Sequence, residues 1–228
     1  MPSCAGTPGV ADVSLVEHWD AVYRTKALEA MSWHTPHLAT SLEWIERAAP
    51  DRASGILDVG GGVATLAADL LAKGYANLTV LDLAPAAIEQ ARARLLDHGQ
   101  IAESVKWVVG DVTTVELSAE AFDVWHDRAV FHFLTGPEER AAYARQMKRA
   151  LKPGGQVVMA TFGPEGPERC SGLPVCRYDA AGLAREFGPG FAVVRSAVVE
   201  HRTPWGAVQP FLYCQMERAG SREPVASS

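Results

Sequence analysis

Three carboxylates each close an apolar run. Asp58 stands in Ile56-Leu57-Asp58-Val59, Asp82 follows Leu78-Thr79-Val80-Leu81, and Asp111 follows Gly110 after Val105-Lys106-Trp107-Val108-Val109. Behind the first acid come Gly60-Gly61-Gly62 and then an alanine-rich helical pattern. A strand that feeds a helix through bare glycine backbone lets a ligand rest on the turn, and the first N–H groups of the helix point at the same place. The stretch reads as a nucleotide-binding corner, with Asp82 at the spacing at which a β-α-β unit offers an acid to ribose hydroxyls. The plainer reading is that the glycines merely pack a helix on a strand. A nicotinamide-type G-x-G-x-x-G does not fit, because counting from Gly60 its third glycine falls on Thr65.

A second polar group, His126, Asp127, Arg128 and His132, ends an otherwise apolar run that begins at Phe122. Burying such side chains without purpose costs stability, so they are the catalytic candidates. Two structural readings stand beside that one: Asp127 pairs with Arg128, and His132 is a histidine hydrogen-bonded at a helix start. Arg169 and Cys170 lie in a loop, Gly163 to Cys176, too rich in proline and glycine for a regular element. They offer a cation to an anionic substrate or a thiol to a soft one. No metal site is expected: His34 and His37 flank Pro36, and neither His126 nor His132 has a carboxylate at a recognised interval.

The elements that must hold these groups follow from the pattern. Ser14 with Glu17 opens a helix carrying Val16, Trp19, Val22 and Tyr23 on one side. Leu38, Leu42, Ile45 and Ala49 mark a second helix up to Pro50. Pro137 starts a helix with Glu138 and Glu139 in its first turn and Arg145, Lys148 and Arg149 towards its end, matching the helix dipole. A fifth strand runs from Gln156 to Phe162, Tyr178-Asp179 opens a helix to Phe187, and Phe191 to Val199 with Val208 to Met216 form a closing antiparallel pair.

With 228 residues, 48% of them apolar, the chain supports one substantial core. A net charge of −6 without long runs of either sign does not suggest nucleic acid, and Arg92 with Arg94, like Arg145 with Lys148 and Arg149, reads as a solvated helix face. No leader pattern and no membrane-length apolar stretch is found, so a cytoplasmic protein is expected. Cys4, Cys170, Cys176 and Cys214 show no C-x-x-C pair, and neither a disulfide framework nor a zinc ribbon is implied.

Acids at three strand ends, with Leu151-Lys152-Pro153-Gly154-Gly155 before another strand, resemble the class I S-adenosylmethionine (SAM)-dependent methyltransferases from about Trp19 to Glu217. The resemblance implies an α/β fold: a doubly wound, Rossmann-like sheet of seven strands with the last one antiparallel, plus an N-terminal helical cap. It divides the chain into a cap (13–50) and a SAM-binding domain (51–218), between a start (1–12) and a tail (219–228) whose small, polar and breaking residues lead one to expect disorder. It also implies that Asp58, Gly60, Gly61 and Gly62 form the first cofactor motif, that Asp82 with Leu83 meets the ribose, and that Asp111 with Val112 meets the adenine. Ala64 stands where the family usually has its last glycine. The piece His18 to Tyr23 with Met31 to His34 looks like the cap of the branch holding small lysine and thiol methyltransferases, so that Tyr23 and Trp33 cover the cofactor.

The Asp-Arg pair at 127–128 resembles thiol methyltransferases, whereas Asp-Lys is familiar from the lysine enzymes. The expected reaction is methyl transfer to a small nucleophile, a thiol or related soft atom first. A thiol ionises near pH 8.5 and a lysine near 10.4, so the thiol needs less help from His132 or Arg128. A protein lysine is the alternative acceptor, and a non-catalytic SAM-binding partner protein is the alternative from another class. The oligomeric state is not legible.

Overall fold

The computed structural model describes residues 3–4, 14–63, 65–97 and 104–220. Ala64 and most of the two terminal stretches expected to be disordered lie outside these residues.

Seven strands form one sheet: β1 (Ile56–Val59), β2 (Leu78–Asp82), β3 (Val105–Val109), β4 (Phe122–Arg128), β5 (Leu151–Phe162), β6 (Phe191–Arg202) and β7 (Val208–Arg218). Their order is β6-β7-β5-β4-β1-β2-β3. Strands β1 and β2 are buried along their whole length, as mostly apolar parallel strands covered on both faces must be, with Asp58, Thr79 and Asp82 as their polar residues. Only β7 runs against the rest, pairing antiparallel with both β5 and β6. Strand β5 begins five residues earlier than the pattern predicts, because Leu151 already pairs with Phe122 before a register shift. The Pro153-Gly154-Gly155 stretch is therefore an irregular start of the strand, with Gly154 at φ +76°.

Helices α1 (Leu15–Thr25), α2 (Ala39–Ala48), α3 (Leu66–Ala72), α4 (Pro85–Asp97), α5 (Pro137–Ala150) and α6 (Ala180–Phe187) flank the sheet. On one face Trp44 and Ile45 of α2, Leu66 and Leu70 of α3 and Ile88 of α4 pack with Ile56, Val124 and Val158. On the other, Tyr143 and Met147 of α5 and Leu183 of α6 pack with Leu57, Trp125 and Met159. Period-two alternation along the strands sorts these residues between the faces. The Ser14 cap predicted from sequence forms, accepting from the Glu17 amide, and the helix expected to open at Asp179 is capped by that side chain, which accepts from the Gly182 amide.

Helix α1 is held across the start of α4. Asp20 accepts from the Ala86 amide at 2.9 Å, and Gln90 donates to the Tyr23 carbonyl at 2.6 Å. Val22 and Tyr23 bury against Ala84, Ala86 and Ala87, while Val16 stays exposed. Arg94 departs from the solvated-face expectation, since it donates to the Val63 carbonyl at 2.8 Å and so ties α4 to the glycine turn.

The proline-rich loop is better ordered than its composition implies. Arg169–Cys170 pairs with Leu173–Pro174, and Cys176–Arg177 pairs with Ser3–Cys4. Cys4 is joined to Cys176 by a disulfide across 172 positions, which corrects the cysteine reading: spacing arguments see only nearby pairs. Cys170 and Cys214 are free and buried. Alkylation of the unfolded protein without reductant should therefore modify two cysteines, and four after reduction; four modified before reduction would contradict the bond.

Candidate functional site

The glycine turn leaves β1 under close constraint from every side. A Cβ on Gly60, at φ +65°, would lie 2.0 Å from Val130. On Gly61 it would lie 2.7 Å from both the Asp58 carboxylate and Val80, and on Gly62, at φ +49°, 2.7 Å from the Tyr23 hydroxyl. Tyr23 thus presses the cap directly onto bare backbone, and burial next to Asp82 pushes its phenol well above the usual range. The three glycines do more than pack a helix on a strand.

Asp82 is buried at the end of β2 and accepts from the Ala84 amide at 2.9 Å, with the Gly62 and Leu83 amides also directed at it. Burial raises its pKa to about 6, against the opposing pull of these N–H groups. Asp111 is exposed at the end of β3, where one oxygen accepts from both the amide and the hydroxyl of Thr113 at 2.7 Å. Val112 beside it is buried.

Two cavities adjoin at this rim. The smaller, about 510 Å³, is lined by Asp58, the three glycines, Met31, His34, Leu38 and His126. The larger, about 1070 Å³, takes in Asp82, Leu83, Asp111 and Val112, then continues past Ala129 and Val130 to Phe133, Cys170, Gln209 and Phe211. Tyr23, Trp33, Gly60 and Arg128 border both. Trp19 closes the larger one, its ring edge-on to Trp33 at 5.7 Å and to Phe133 at 5.1 Å.

The structure does not gather the polar group of β4 at one point, and the pleat is the reason. His126 and Arg128 point to one face with Asp58, whereas Asp127 points to the other. His126 is the register partner of Asp58 and its Nδ1 lies 2.7 Å from the carboxylate, so it has the acidic neighbour that sequence spacing did not reveal. Asp127 is fully buried and does not pair with Arg128. It accepts from the Val130 and Phe131 amides and, at 2.6 Å, from the Tyr143 hydroxyl, and burial raises its pKa to about 6. These bonds shape the turn after β4 that brings Val130 over Gly60.

Arg128 donates to the Trp33 carbonyl at 3.2 Å and lies 4.6 Å above the Phe211 ring. Its guanidinium forms no ion pair with a carboxylate among the described residues. His132 lines neither cavity. It is packed between Phe133 and Phe162, its Nδ1 accepts from the Phe162 amide, and its Nε2 has no partner among the described residues. Burial, with Arg128 nearby, lowers its pKa to about 3, so it stays neutral through the working range.

Alternation also splits the loop pair: Arg169 is exposed and bonds the Gly172 carbonyl, while Cys170 turns inward to the larger cavity. Burial pushes the Cys170 thiol up. Sequence reasoning missed Ser41, Gln209, Phe211 and Tyr213. Gln209, Phe211 and Tyr213 reach the rim because β7 lies beside β5, and Ser41 reaches it from α2.

Residues 56–155 match the methyltransferase-domain family. The chain is 31% identical to the ubiquinone/menaquinone biosynthesis C-methyltransferase of Ruegeria sp. (strain TM1040) over 53% of its own length and 46% of that protein's, so it spans about half of this relative. It is 22% identical to EEF1A lysine methyltransferase 2 of Danio rerio, over 78% of this chain and 76% of that one. Among solved structures, one concerned with the conversion of a disulfide bond into a thioacetal group during echinomycin biosynthesis superposes with a TM-score of 0.72 at 24% identity, over 93% of this chain and 95% of that one. The strand order and the reversed β7 agree with these matches: residues 56–155 form a methyltransferase domain, and the sheet has the fold of the class I SAM-dependent methyltransferases.

Proposed function

We propose that the chain transfers the methyl group of SAM to a small nucleophilic acceptor, with a thiol or related soft atom favoured. The observation that carries this reading is that the larger cavity does not stop at the cofactor acids but runs on past Arg128 to Phe133, Cys170, Gln209 and Phe211. SAM supplies an electrophilic methyl group on a sulfonium. The chain's own task is to align an acceptor with it and to exclude water.

The residues fit the cofactor. Asp82 stands to accept the ribose hydroxyls, Leu83 and Val112 offer apolar walls, Asp111 has an oxygen for the adenine amino group, and the bare turn at Gly60–Gly62 receives the methionine end beside Asp58. Tyr23 and Trp33 close over it from the cap (13–50), which this reading treats as a lid on the SAM-binding domain (51–218).

For the acceptor, Arg128 is the leading group. A guanidinium without a carboxylate partner, on the border of both cavities, suits an anionic or polarisable acceptor. The aromatic walls and the inward thiol of Cys170 suit sulfur. The echinomycin-pathway neighbour, whose described chemistry converts a disulfide, supports the same choice. Burial keeps Cys170 protonated, so it does not compete as a nucleophile. His126 and Asp127 act through Asp58 and the β4 turn, and His132 through packing. Arg169 stands outside the cavity, on the rim of the loop that bears Cys170. A protein-lysine acceptor is the second reading, favoured by the similarity to EEF1A lysine methyltransferase 2 over 78% of this chain. No described helix is long and apolar enough to cross a membrane.

Asp82→Ala should weaken S-adenosylhomocysteine binding at least tenfold by calorimetry while leaving the fold, since two charge-assisted hydrogen bonds are lost. In the parent protein affinity should fall as pH drops through about 6, where Asp82 takes up a proton and loses the charge that strengthens both hydrogen bonds. Affinity in Asp82→Ala within a factor of two of the parent contradicts the placement of the ribose.

Arg128→Ala should raise the KM of a thiol acceptor about tenfold or more, with S-adenosylhomocysteine binding changed less than threefold. His132→Ala should leave the shape of the rate-against-pH curve above pH 5 unchanged. Radiolabelled SAM should label small thiols from a panel. A single labelled protein in a lysate, with no small methylated product, would sink the thiol reading in favour of the lysine one.

A further inference from the structure

Four buried side chains from four separate elements stand in one line. His126 Nδ1 of β4 is 2.7 Å from Asp58 Oδ1 of β1, His126 Nε2 is 2.9 Å from Ser41 Oγ of α2, and Ser41 Oγ is 3.2 Å from the Tyr213 hydroxyl of β7. Each is at least nine-tenths buried. One order of donors and acceptors satisfies all three contacts. Nδ1–H donates to Asp58, Nε2 accepts from the Ser41 hydroxyl, and Ser41 accepts from the Tyr213 hydroxyl. Asp, His and Ser in this order can serve nucleophilic catalysis, but Ser41 is fully buried and lines neither cavity, so no substrate reaches it.

We infer that this relay positions Asp58 to grip the amino group of the cofactor's amino-acid end, with His126, Ser41 and Tyr213 as positioning residues. While Oδ1 is occupied by His126, Oδ2 lies 2.7 Å from where a Cβ of Gly61 would stand, against the turn and on the wall of the smaller cavity. A carboxylate held there by a buried donor keeps one oxygen committed and the other aimed, and a cationic ammonium is the group such an oxygen recognises. The relay also ties the cap to the site, because Ser41 sits on α2 and can bond His126 only when α2 is docked on the sheet. This inference rests on the SAM-binding reading and adds the groups that set its amino-acid end.

The test compares two ligands by calorimetry on the full chain: S-adenosylhomocysteine, and 5′-methylthioadenosine, an adenosine thioether without the amino-acid end. His126→Phe should weaken the first about tenfold or more and leave the second within twofold. Ser41→Ala and Tyr213→Phe, which remove only distal links, should weaken the first by about two- to fivefold and spare the second. His126→Asn, whose amide N–H can stand in for Nδ1–H, should recover most of the loss. Should His126→Phe not fold, the other three variants carry the comparison. Equal weakening of both ligands would show a purely structural role, and unchanged affinity for S-adenosylhomocysteine would remove the relay from binding; either overturns the inference. A parent protein that binds neither ligand overturns the cofactor reading itself.

Discussion

Three hydrogen atoms stand where side chains would be at Gly60, Gly61 and Gly62, and the packing of the site depends on them. Val130 from the turn after β4, the Asp58 carboxylate and the Tyr23 hydroxyl each approach one of these positions within 2.7 Å of where a Cβ would be. The turn is a meeting point of the first strand, the fourth strand and the N-terminal cap. Any side chain there must displace one of the three, and positive φ at Gly60 and Gly62 adds backbone strain for any other residue.

From that point the arrangement divides by face. On one side of the sheet, Asp127 spends its lone pairs on the Val130 and Phe131 amides and the Tyr143 hydroxyl, and so fixes the turn that carries Val130. On the other, His126 holds Asp58, and Arg128 reaches the border of the two cavities. Adjacent residues of one strand thus do separate work: one shapes the backbone, and its neighbours face the cavities. The Trp33 carbonyl and the Phe211 ring hold Arg128 without neutralising it.

The parts of this account that are local in the chain were legible from residues alone. The acids ending β1, β2 and β3, the glycine turn, the helix caps at Ser14 and Asp179 and the reversed last strand all follow from short-range pattern. Asp127 belonged to the same kind of information: strict alternation along Phe122–Arg128 separates it from His126 and Arg128, and grouping them as one cluster ignored the pleat. The relay of Asp58, His126, Ser41 and Tyr213, and the Cys4–Cys176 bond, were not legible. Ser41 and Tyr213, like the two cysteines, are 172 positions apart, and no periodicity reports which side chains a sheet of this order brings together. Likewise Cys170 and Arg169 look equivalent in a loop, and only the short pairing with Leu173–Pro174 turns one inward and the other out.

We propose that the two adjoining cavities hold cofactor and acceptor, with Arg128 on the border of both. A crystal structure of the protein with S-adenosylhomocysteine tests it most directly. The ribose is predicted to bond Asp82, the adenine to lie by Val112 and Asp111, and the amino-acid end to rest on the glycine turn beside Asp58, with the thioether sulfur towards Arg128 and the Cys170 end left open. A ligand whose sulfur points away from Arg128, or whose body fills the space between Phe133 and Gln209, would contradict the account.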